Sequence, residues 1–148
     1  MESKSVINKE LKINCEIVQS TDHYKILYEL LKNRKHSISH KEMPTYEEHE
    51  EFCKNNPYRL WFILFSGDSP IGTFYLTEDN RIGINLIDGQ VQIFSTVIEY
   101  IINSYKPLPS KPSVIPNAFF CNISPTNTKL IEASKEQGGS ITQLSVKF

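Results

Sequence analysis

The part of the chain that most constrains the fold is its centre, where three apolar runs follow one another with short polar breaks between them. The runs are Tyr58–Ser66, Ile71–Thr77 and Arg81–Ile87, and the breaks are residues 67–70 and 78–80. Short runs rich in aromatic and β-branched residues, bounded by Gly, Pro, Asn or Asp, are typical of strands, and breaks this short join antiparallel neighbours. The centre therefore predicts an antiparallel meander of three strands.

Helical periodicity occurs on both sides of this meander. Before it, apolar residues recur at helical spacing in His23–Lys32, and Thr45 with Glu48 forms the pattern of a capping box that starts a second helix. After it, Gln90–Tyr105 places its apolar residues on one helical face. Three further strands and a last helix complete the expected elements: Lys12–Gln19, Ala118–Ile123 and Ser140–Lys147 as strands, and Thr126–Gln137 as the helix.

The resulting element order, β-α-α-β-β-β-α-β-α-β, predicts an α+β fold with one mixed sheet. The strand at residues 118–123 is expected to lie parallel to the strand at 81–87, because a helix connects the two. A chain of 148 residues has the length of one domain, so we expect a single domain over residues 1–148.

Composition and charge narrow the class of protein. The chain carries 16 Lys and Arg against 17 Asp and Glu, a net charge of −1, whereas a dedicated nucleic-acid-binding domain is usually basic. No apolar run is long enough for a membrane-spanning helix, and Met1–Leu11 has no apolar stretch of the signal-peptide type. We therefore expect a cytoplasmic protein with no membrane partner and no nucleic-acid partner.

Cysteine and histidine usage argues against a disulfide framework and against a metal site. Cys15, Cys53 and Cys121 are odd in number and far apart, which favours three small buried hydrophobes in a reducing compartment. His36 and His40 have the spacing of two ligands on a helix face, but no third ligand accompanies them. We expect no bound metal.

Three segments carry a resemblance to a known family. Residues 43–49 (MPTYEEH) are followed by 56–61 (NPYRLW), the hairpin over 71–84 reads IGTFYLT and then RIGI, and NISPTN over 122–127 precedes a Gly-Gly pair at 138–139. In this order the segments resemble the GNAT acyltransferase superfamily, whose members move an acyl group from coenzyme A onto an amine. The resemblance covers nearly the whole chain.

The resemblance implies direct transfer of an acetyl group from acetyl-CoA to a small amine, such as an amino sugar, within a ternary complex. In the family, the pantetheine arm lies between the third meander strand and the strand after the central helix. This implies that Gly83, Ile84 and Asn85 lie beside the thioester, although Gly83 is equally compatible with a plain strand glycine or a bulge. Asn127 matches an asparagine that often contacts coenzyme A, and an Asn at this position also serves as a helix N-cap.

One departure from the family pattern concerns the phosphates of the cofactor. Active members have a basic, glycine-rich loop that binds pyrophosphate at the start of the central helix. Here Ile84–Gln92 is short and contains one glycine, and no Lys or Arg occurs between Ile82 and Tyr105. We expect the carboxylate of Asp88 to cap this helix, to compete with phosphate and so to weaken coenzyme A binding. The alternative function is a catalytically inactive GNAT-like domain that binds a partner or ligand.

A second departure concerns proton transfer. Ser134 occupies the position at which many family members have a Tyr that protonates the leaving thiolate, and a serine hydroxyl is a poor general acid. The candidate bases are titratable groups near the hairpin or the second helix, each equally compatible with a solvated surface charge: Glu78, Asp79, His49, Glu48 and Asp88. From these groups Glu78 and Ser134 are taken as the candidate catalytic residues.

The aromatic residues of the meander favour a sheet core over a platform that stacks on a sugar or a base. They are Tyr58, Trp61, Phe62, Phe65, Phe74 and Tyr75. The acceptor, the acyl chain and the formation of a homodimer are left open by the sequence.

Overall fold

A six-stranded mixed sheet with helices on both faces forms the protein. The computed structural model describes residues 3–34 and 42–148. The strands are β1 (Lys4–Asn8), β2 (Ile13–Ile17), β3 (Leu60–Ser66), β4 (Ser69–Leu76), β5 (Arg81–Leu86) and β6 (Phe120–Cys121). The helices are α1 (Thr21–Lys32), α2 (Tyr46–Lys54), α3 (Phe94–Ser104) and α4 (Thr128–Glu136), and a short 3₁₀ turn (Val91–Ile93) leads into α3.

The strands lie in the sheet in the same order as in the chain. Strands β1 to β5 are antiparallel neighbours, and β6 is parallel to β5. The predicted meander and the predicted parallel strand are therefore confirmed. The parallel pairing is short, since only Arg81 with Phe120 and Ile82 with Cys121 form it.

The two ends of the chain differ from the sequence prediction. Strand β1 was missed because, as an edge strand, it is largely solvated and therefore reads as polar, although Ile7 packs against the core. The strand predicted over Ser140–Lys147 was wrong, because that segment is extended and exposed, and Leu144 is 83% exposed. Gly138, with a φ of +96°, ends the last helix and turns the chain into this segment. Alternating apolar residues do not make a strand unless a sheet edge pairs with them.

The helix starts follow the local signals in the sequence. The side chain of Ser20 accepts a hydrogen bond from the backbone N–H of His23 and caps α1. Thr45 and Glu48 form the predicted capping box at the start of α2. Such caps satisfy backbone N–H groups that the first helical turn leaves without partners.

The larger core lies on the face that α3 and α4 cover. It is built from alternate residues of the strands and from the apolar stripe of α3. Sixteen buried residues form it: Ile13, Cys15, Leu60, Phe62, Leu64, Ile71, Phe74, Leu76, Ile82, Ile84, Ile93, Phe94, Val97, Ile98, Ile101 and Leu130.

A fully buried asparagine connects the long proline-containing segment after α3 to the sheet. Asn80 lies in the β4–β5 turn with a φ of +67°, a conformation that Asn tolerates better than most residues. Its side-chain amide donates to the carbonyls of Leu108 (2.9 Å) and Pro116 (3.0 Å), and its oxygen accepts from the N–H of Leu108. The Asn80 carbonyl also accepts from the N–H of Phe120 (3.0 Å). Asn80 thereby holds β6 beside β5 at this end of the sheet.

Candidate functional site

A cavity of about 310 Å³ lies on the opposite face of the sheet, under α1 and α2. Its floor consists of β4 and β5, with Thr73, Tyr75 and Asn85 among the lining residues. On this face only Leu27, Cys53, Ile63 and Phe65 form a buried cluster among the described residues. The helices therefore cover this face without filling it.

Aromatic rings form one wall of the cavity. The rings of Tyr58 and Tyr75 stack with centroids 4.1 Å apart and an interplanar angle of 12°. Trp61 meets Tyr58 edge-on at 5.2 Å, and Phe52 meets Trp61 edge-on at 5.9 Å. We call these four residues the aromatic wall.

The aromatic wall depends on a glycine in the neighbouring strand. A Cβ built on Gly83 would lie 2.0 Å from the ring atom Cζ of Tyr75, a distance that real atoms do not adopt. Gly83 pairs directly with Tyr75 across β4 and β5. A residue without a side chain at position 83 thus lets the tyrosine ring lie flat over β5.

Arg34, just past the end of α1, lines the same cavity. Burial lowers the pKa of its guanidinium, which lies near enough to Tyr58 and Tyr75 to interact with them electrostatically. An arginine nevertheless stays charged in proteins. Burial also raises the pKa of Tyr58 to about 12 and raises the pKa of Tyr75, so both phenols are neutral near pH 7. The cavity rim therefore holds a cation beside two uncharged hydroxyls.

His49 and Glu48, on the first turns of α2, are the other ionisable residues of the lining. The Nε2 atom of His49 lies 2.8 Å from the carbonyl oxygen of Tyr24. Since a carbonyl only accepts, Nε2 donates this hydrogen bond, and the Sγ atom of Cys53 lies 3.4 Å from the same nitrogen. One carboxylate oxygen of Glu48 accepts from the backbone N–H of Thr45 at 3.0 Å, so it is engaged in the capping box.

Strands β5 and β6 separate beside the cavity. Their pairing ends at Ile82 and Cys121, whereas β5 continues to Leu86. We call this opening the split. Asn85 lies on β5 beyond the last pair and also lines the cavity, so the cavity and the split meet at this strand.

The residues singled out from the sequence fall into two groups. Gly83, Ile84 and Asn85 lie in the part of β5 that β6 does not pair with, and the side chain of Ile84 lies in the α3-side core. The other three lie outside the cavity lining. Glu78 is exposed on the β4–β5 turn, Asn127 caps α4 by accepting from the Leu130 N–H at 3.3 Å, and the Ser134 hydroxyl donates to the Leu130 carbonyl at 2.8 Å.

The predicted cap of the central helix was wrong. Asp88 and Gly89 form a turn in which Gly89 has a φ of +80°, and the helical segment starts only after Gln90. Neither the 3₁₀ turn nor α3 has an acidic residue in its first turn or a side-chain cap. The Asp-Gly pair favours a turn over a cap. Asp88 is therefore not the cap that was expected to compete with phosphate at this helix start.

Two features of the cavity escaped the sequence analysis. Arg34 showed no distinguishing pattern, since it follows a helix and precedes a basic stretch. The aromatic cluster divides between the two faces of the sheet, with Tyr58, Trp61 and Tyr75 lining the cavity and Phe62 and Phe74 in the α3-side core. Strand alternation could have shown this division, because the hydroxyl-bearing and the hydroxyl-free rings occupy alternate positions in β4.

The three thiols are buried or partly buried and not activated. Cys15 and Cys53 are buried, and Cys121 is half-buried. Burial raises the pKa of Cys15 and of Cys121 to about 11 and that of Cys53 to about 12. Thiols of this kind are protonated near pH 7 and behave as small apolar groups, in agreement with the sequence interpretation.

Neither a metal cluster nor a membrane-spanning helix occurs in the described part of the chain. Within residues 3–34 and 42–148, no group of three or more His, Cys, Asp or Glu side chains is arranged to hold a metal ion. His36 and His40 lie outside the described residues. None of the helices in those ranges is long and apolar enough to cross a membrane.

Comparison with solved structures identifies the fold. No protein-family model and no curated protein matches the sequence. The chain superposes on the Salmonella typhimurium acetyltransferase that modifies the N-terminal serine of ribosomal protein L7/L12, with 12% identity and a TM-score of 0.63 over 90% of this chain and 83% of the other. It also superposes on the Campylobacter jejuni N-acetyltransferase PseH, with 13% identity and a TM-score of 0.59 over 90% and 92% of the two chains.

A third structure carries a ligand. It is AAC(6')-Iy in complex with a bisubstrate analog, CoA-S-monomethyl-acetylneamine, with 13% identity and a TM-score of 0.56 over 92% of this chain and 96% of the other. The class that the sheet and its split define is thus the acyl-CoA N-acyltransferase fold. The chain has the GNAT fold in a divergent form, as the sequence resemblance predicted.

Proposed function

We propose that this protein is an acyl-CoA-dependent N-acyltransferase that transfers an acetyl group directly to a small amine within a ternary complex. The observation that carries the proposal is the meeting of two spaces at Asn85: the split between β5 and β6, and the cavity under α1 and α2. A thioester in the split and an amine in the cavity would approach each other across one strand. Such positioning supplies much of the rate enhancement in a two-substrate reaction.

The residues of the split suit the pantetheine arm of acetyl-CoA. Beyond Ile82, the backbone of Gly83–Asn85 has no β6 neighbour to pair with, so its polar groups on that side are available to the amides of pantetheine. The 3₁₀ turn that follows has no side-chain cap hydrogen bond and no acidic residue in its first turn, so it places no carboxylate of its own against a bound anion. This stretch supplies no cationic side chain of its own, because residues 83–104 contain no Lys or Arg.

The chemistry requires a neutral amine. Its nitrogen attacks the thioester carbonyl carbon, the C–N bond forms, the C–S bond breaks, and the thiolate leaves and takes a proton from solvent. The amine loses one proton, for which we assign Nδ1 of His49 as the acceptor, because His49 lines the cavity and its other ring nitrogen, Nε2, is the one bonded to the Tyr24 carbonyl. Glu78 and Ser134, which lie outside the cavity lining, are given no role in this proposal.

A catalytically inactive GNAT-like domain is the second candidate. The observation that favours it is the absence of Lys and Arg between Ile82 and Tyr105, where active family members carry a basic phosphate-binding loop. Such a domain would use the cavity for a ligand and would bind coenzyme A weakly or not at all.

Thermal unfolding with acetyl-CoA and with acetyl-pantetheine, which lacks the nucleotide phosphates, separates the two candidates. Ligand at a hundred times its Kd should stabilise the protein by about 2.7 kcal/mol. We expect both compounds to raise Tm, because the split contacts the portion that they share. A flat response to both at millimolar concentration would favour the inactive domain. Release of free thiol from acetyl-CoA in the presence of an amine then tests transfer itself.

The proposed role of His49 has its own test. His49→Asn should lower kcat and remove the limb of the pH–rate profile that reports the base, while acetyl-CoA binding is unchanged. Glu78→Gln is the control, since Glu78 is exposed outside the cavity and its loss should leave the profile intact. A His49→Asn variant with an unchanged profile would show that another group accepts the proton.

Two expectations from the sequence stay predictions: a single domain over residues 1–148 and a cytoplasmic location. Formation of a homodimer is left open by the sequence. Light scattering on the full chain measures the oligomeric state. An amino sugar as the acceptor is likewise a prediction, and the chemistry of the cavity bears on it directly.

A further inference from the structure

The charges lining the cavity limit the kind of acceptor it can hold. Among its described lining residues the ionisable groups besides the phenols are Arg34, Glu48 and His49. Glu48 is exposed and one oxygen of its carboxylate accepts from the Thr45 N–H, and Nε2 of His49 donates to the Tyr24 carbonyl. Among the described lining residues, a ligand with several ammonium groups would meet one carboxylate, with one of its oxygens already accepting a hydrogen bond, and would lie beside a guanidinium. Burying unpaired charges is costly, so the cavity does not suit a polycation.

The cation in the lining is a group to which an anionic part of a ligand can bind. Arg34 is partly buried and lies near two phenols whose raised pKa values keep them neutral, so they add no negative charge to the cavity. A guanidinium at the edge of an apolar cavity binds a carboxylate strongly, because its planar donors match the two oxygens and few waters compete.

The aromatic wall indicates what kind of group forms the central part of the ligand. Tyr58 and Tyr75 present a parallel stack, and Trp61 stands edge-on against it. Much of the remaining lining is aliphatic, from Leu27, Leu30 and neighbouring residues. A planar ring gains both apolar burial and ring–ring contact on such a surface. The volume of about 310 Å³ is at the small end of ligand pockets, which suits a single ring with short substituents.

We infer that the acceptor is a small aromatic amine that carries a carboxylate at the end opposite the amine. The carboxylate binds Arg34, the ring lies on the aromatic wall, and the amine points toward Asn85 at the split. This inference rests on the proposed function, because the amine is placed at the split only if the thioester that it attacks binds there. It differs from the acceptor portion of the bisubstrate analog in the solved AAC(6')-Iy complex, which is the neamine part of CoA-S-monomethyl-acetylneamine.

Calorimetric titration without acetyl-CoA tests the inference, with 4-(aminomethyl)benzoate, its amide 4-(aminomethyl)benzamide, and neamine as the three probes. The first two have the same shape and differ in one negative charge. We expect the benzoate to bind at least tenfold more tightly than the benzamide, and neamine to bind more weakly than the benzoate. Arg34→Gln should remove the difference between benzoate and benzamide.

Lys32→Gln is the matched control, because Lys32 is a cation two residues away that is exposed, is paired with Glu29 at 3.0 Å and lies outside the lining. It should leave all three affinities unchanged. Equal affinities for benzoate and benzamide, tighter binding of neamine, or no binding of the benzoate would each overturn the inference. Acetyl-CoA binding, measured separately, reports on the proposed function, so the two can fail independently.

Discussion

The two faces of the sheet are built from the same strands but differ in how tightly they are packed. On the α3 and α4 face, sixteen buried residues form a continuous core, whereas the buried cluster on the α1 and α2 face has four among the described residues. The α1 and α2 face contains a cavity where the other face has packed side chains. Folding energy is therefore concentrated on one face, and space for a ligand on the other.

This difference shows how alternation along a strand serves two purposes. In β4, Phe74 is fully buried in the α3-side core, and its neighbour Tyr75 lines the cavity. A phenylalanine ring fills space in the core, whereas a tyrosine keeps a hydroxyl for a polar rim. Binding regions are commonly drawn from the less stable parts of a fold.

The largest effect should come from comparing these two neighbours. Phe74→Ala removes a ring that stacks on Phe62 at 4.9 Å, and we expect a loss of about 4 kcal/mol in the free energy of unfolding. Tyr75→Ala removes a ring that already borders a cavity, so we expect a smaller loss in the free energy of unfolding, about 2 kcal/mol. Urea unfolding measures both. Equal losses would show that the two faces contribute alike to stability.

Asn80 should be the next most costly position. Asn80→Ala removes three side-chain hydrogen bonds and leaves the carbonyls of Leu108 and Pro116 without their buried donor, for a loss of about 3 kcal/mol. Asn117→Ala is the control, since Asn117 is exposed, and should change stability by less than about 0.5 kcal/mol. Similar small losses in both variants would mean that the Asn80 side chain does not anchor the segment that contains Leu108 and Pro116.

A smaller effect should follow from closing the space over β5. Gly83→Ala places a methyl group in the ring of Tyr75, and displacing the ring should cost about 2 kcal/mol and alter ligand binding in the cavity. In the Gly83→Ala, Tyr75→Ala double variant the clash is absent, so the two losses should not add. Strict additivity would contradict the close approach. A larger side chain at position 83, such as valine, would likewise displace the ring of Tyr75, so it would disturb the aromatic wall as well as the split.

The smallest effect concerns the ion pairs that join β1 and β2 to α1. Burial alone would raise the pKa of Glu16, but hydrogen bonds from Lys4 and His23, each at 3.0 Å, outweigh it and hold the pKa below 4.5. The stability that this carboxylate contributes is present above pH 4.5 and is lost as the pH falls through the lowered pKa.

Unfolding of the native protein and of Glu16→Gln between about pH 6 and pH 2 measures this contribution. The difference in stability between them should shrink as the pH falls. A difference that is independent of pH would show that Glu16 gains nothing from its partners.

Much of this arrangement is predictable from the sequence, for identifiable reasons. The meander, the capping box at Thr45 and the cap at Ser20 depend on local patterns, and all three are present. The helix start after Gln90 was missed because Asp88 was interpreted as a cap, whereas an Asp-Gly pair favours a turn. The segment after Gly138 has the pattern of a strand, but pairing depends on a neighbouring edge that the pattern does not specify.

The cavity was harder to predict, because it depends on how elements distant in sequence pack together. Arg34, His49 and Tyr75 belong to three different parts of the chain, and no spacing rule relates them. The positions proposed for the split, Gly83–Asn85, came from the family resemblance and stay a prediction until a ligand is bound.

Amide-resolved NMR titration tests the central claim that an acyl donor and an acceptor meet at β5 from two separate spaces. Acetyl-CoA should shift the amides of Gly83–Leu86 and of Asn122 and Ile123 on the two sides of the split. 4-(Aminomethyl)benzoate should instead shift those of Arg34, Tyr58 and Tyr75, and the two sets should overlap at Asn85. Shifts that leave β5 unaffected with either ligand, or acetyl-CoA shifts confined to α4 and the exposed segment after it, would contradict the account.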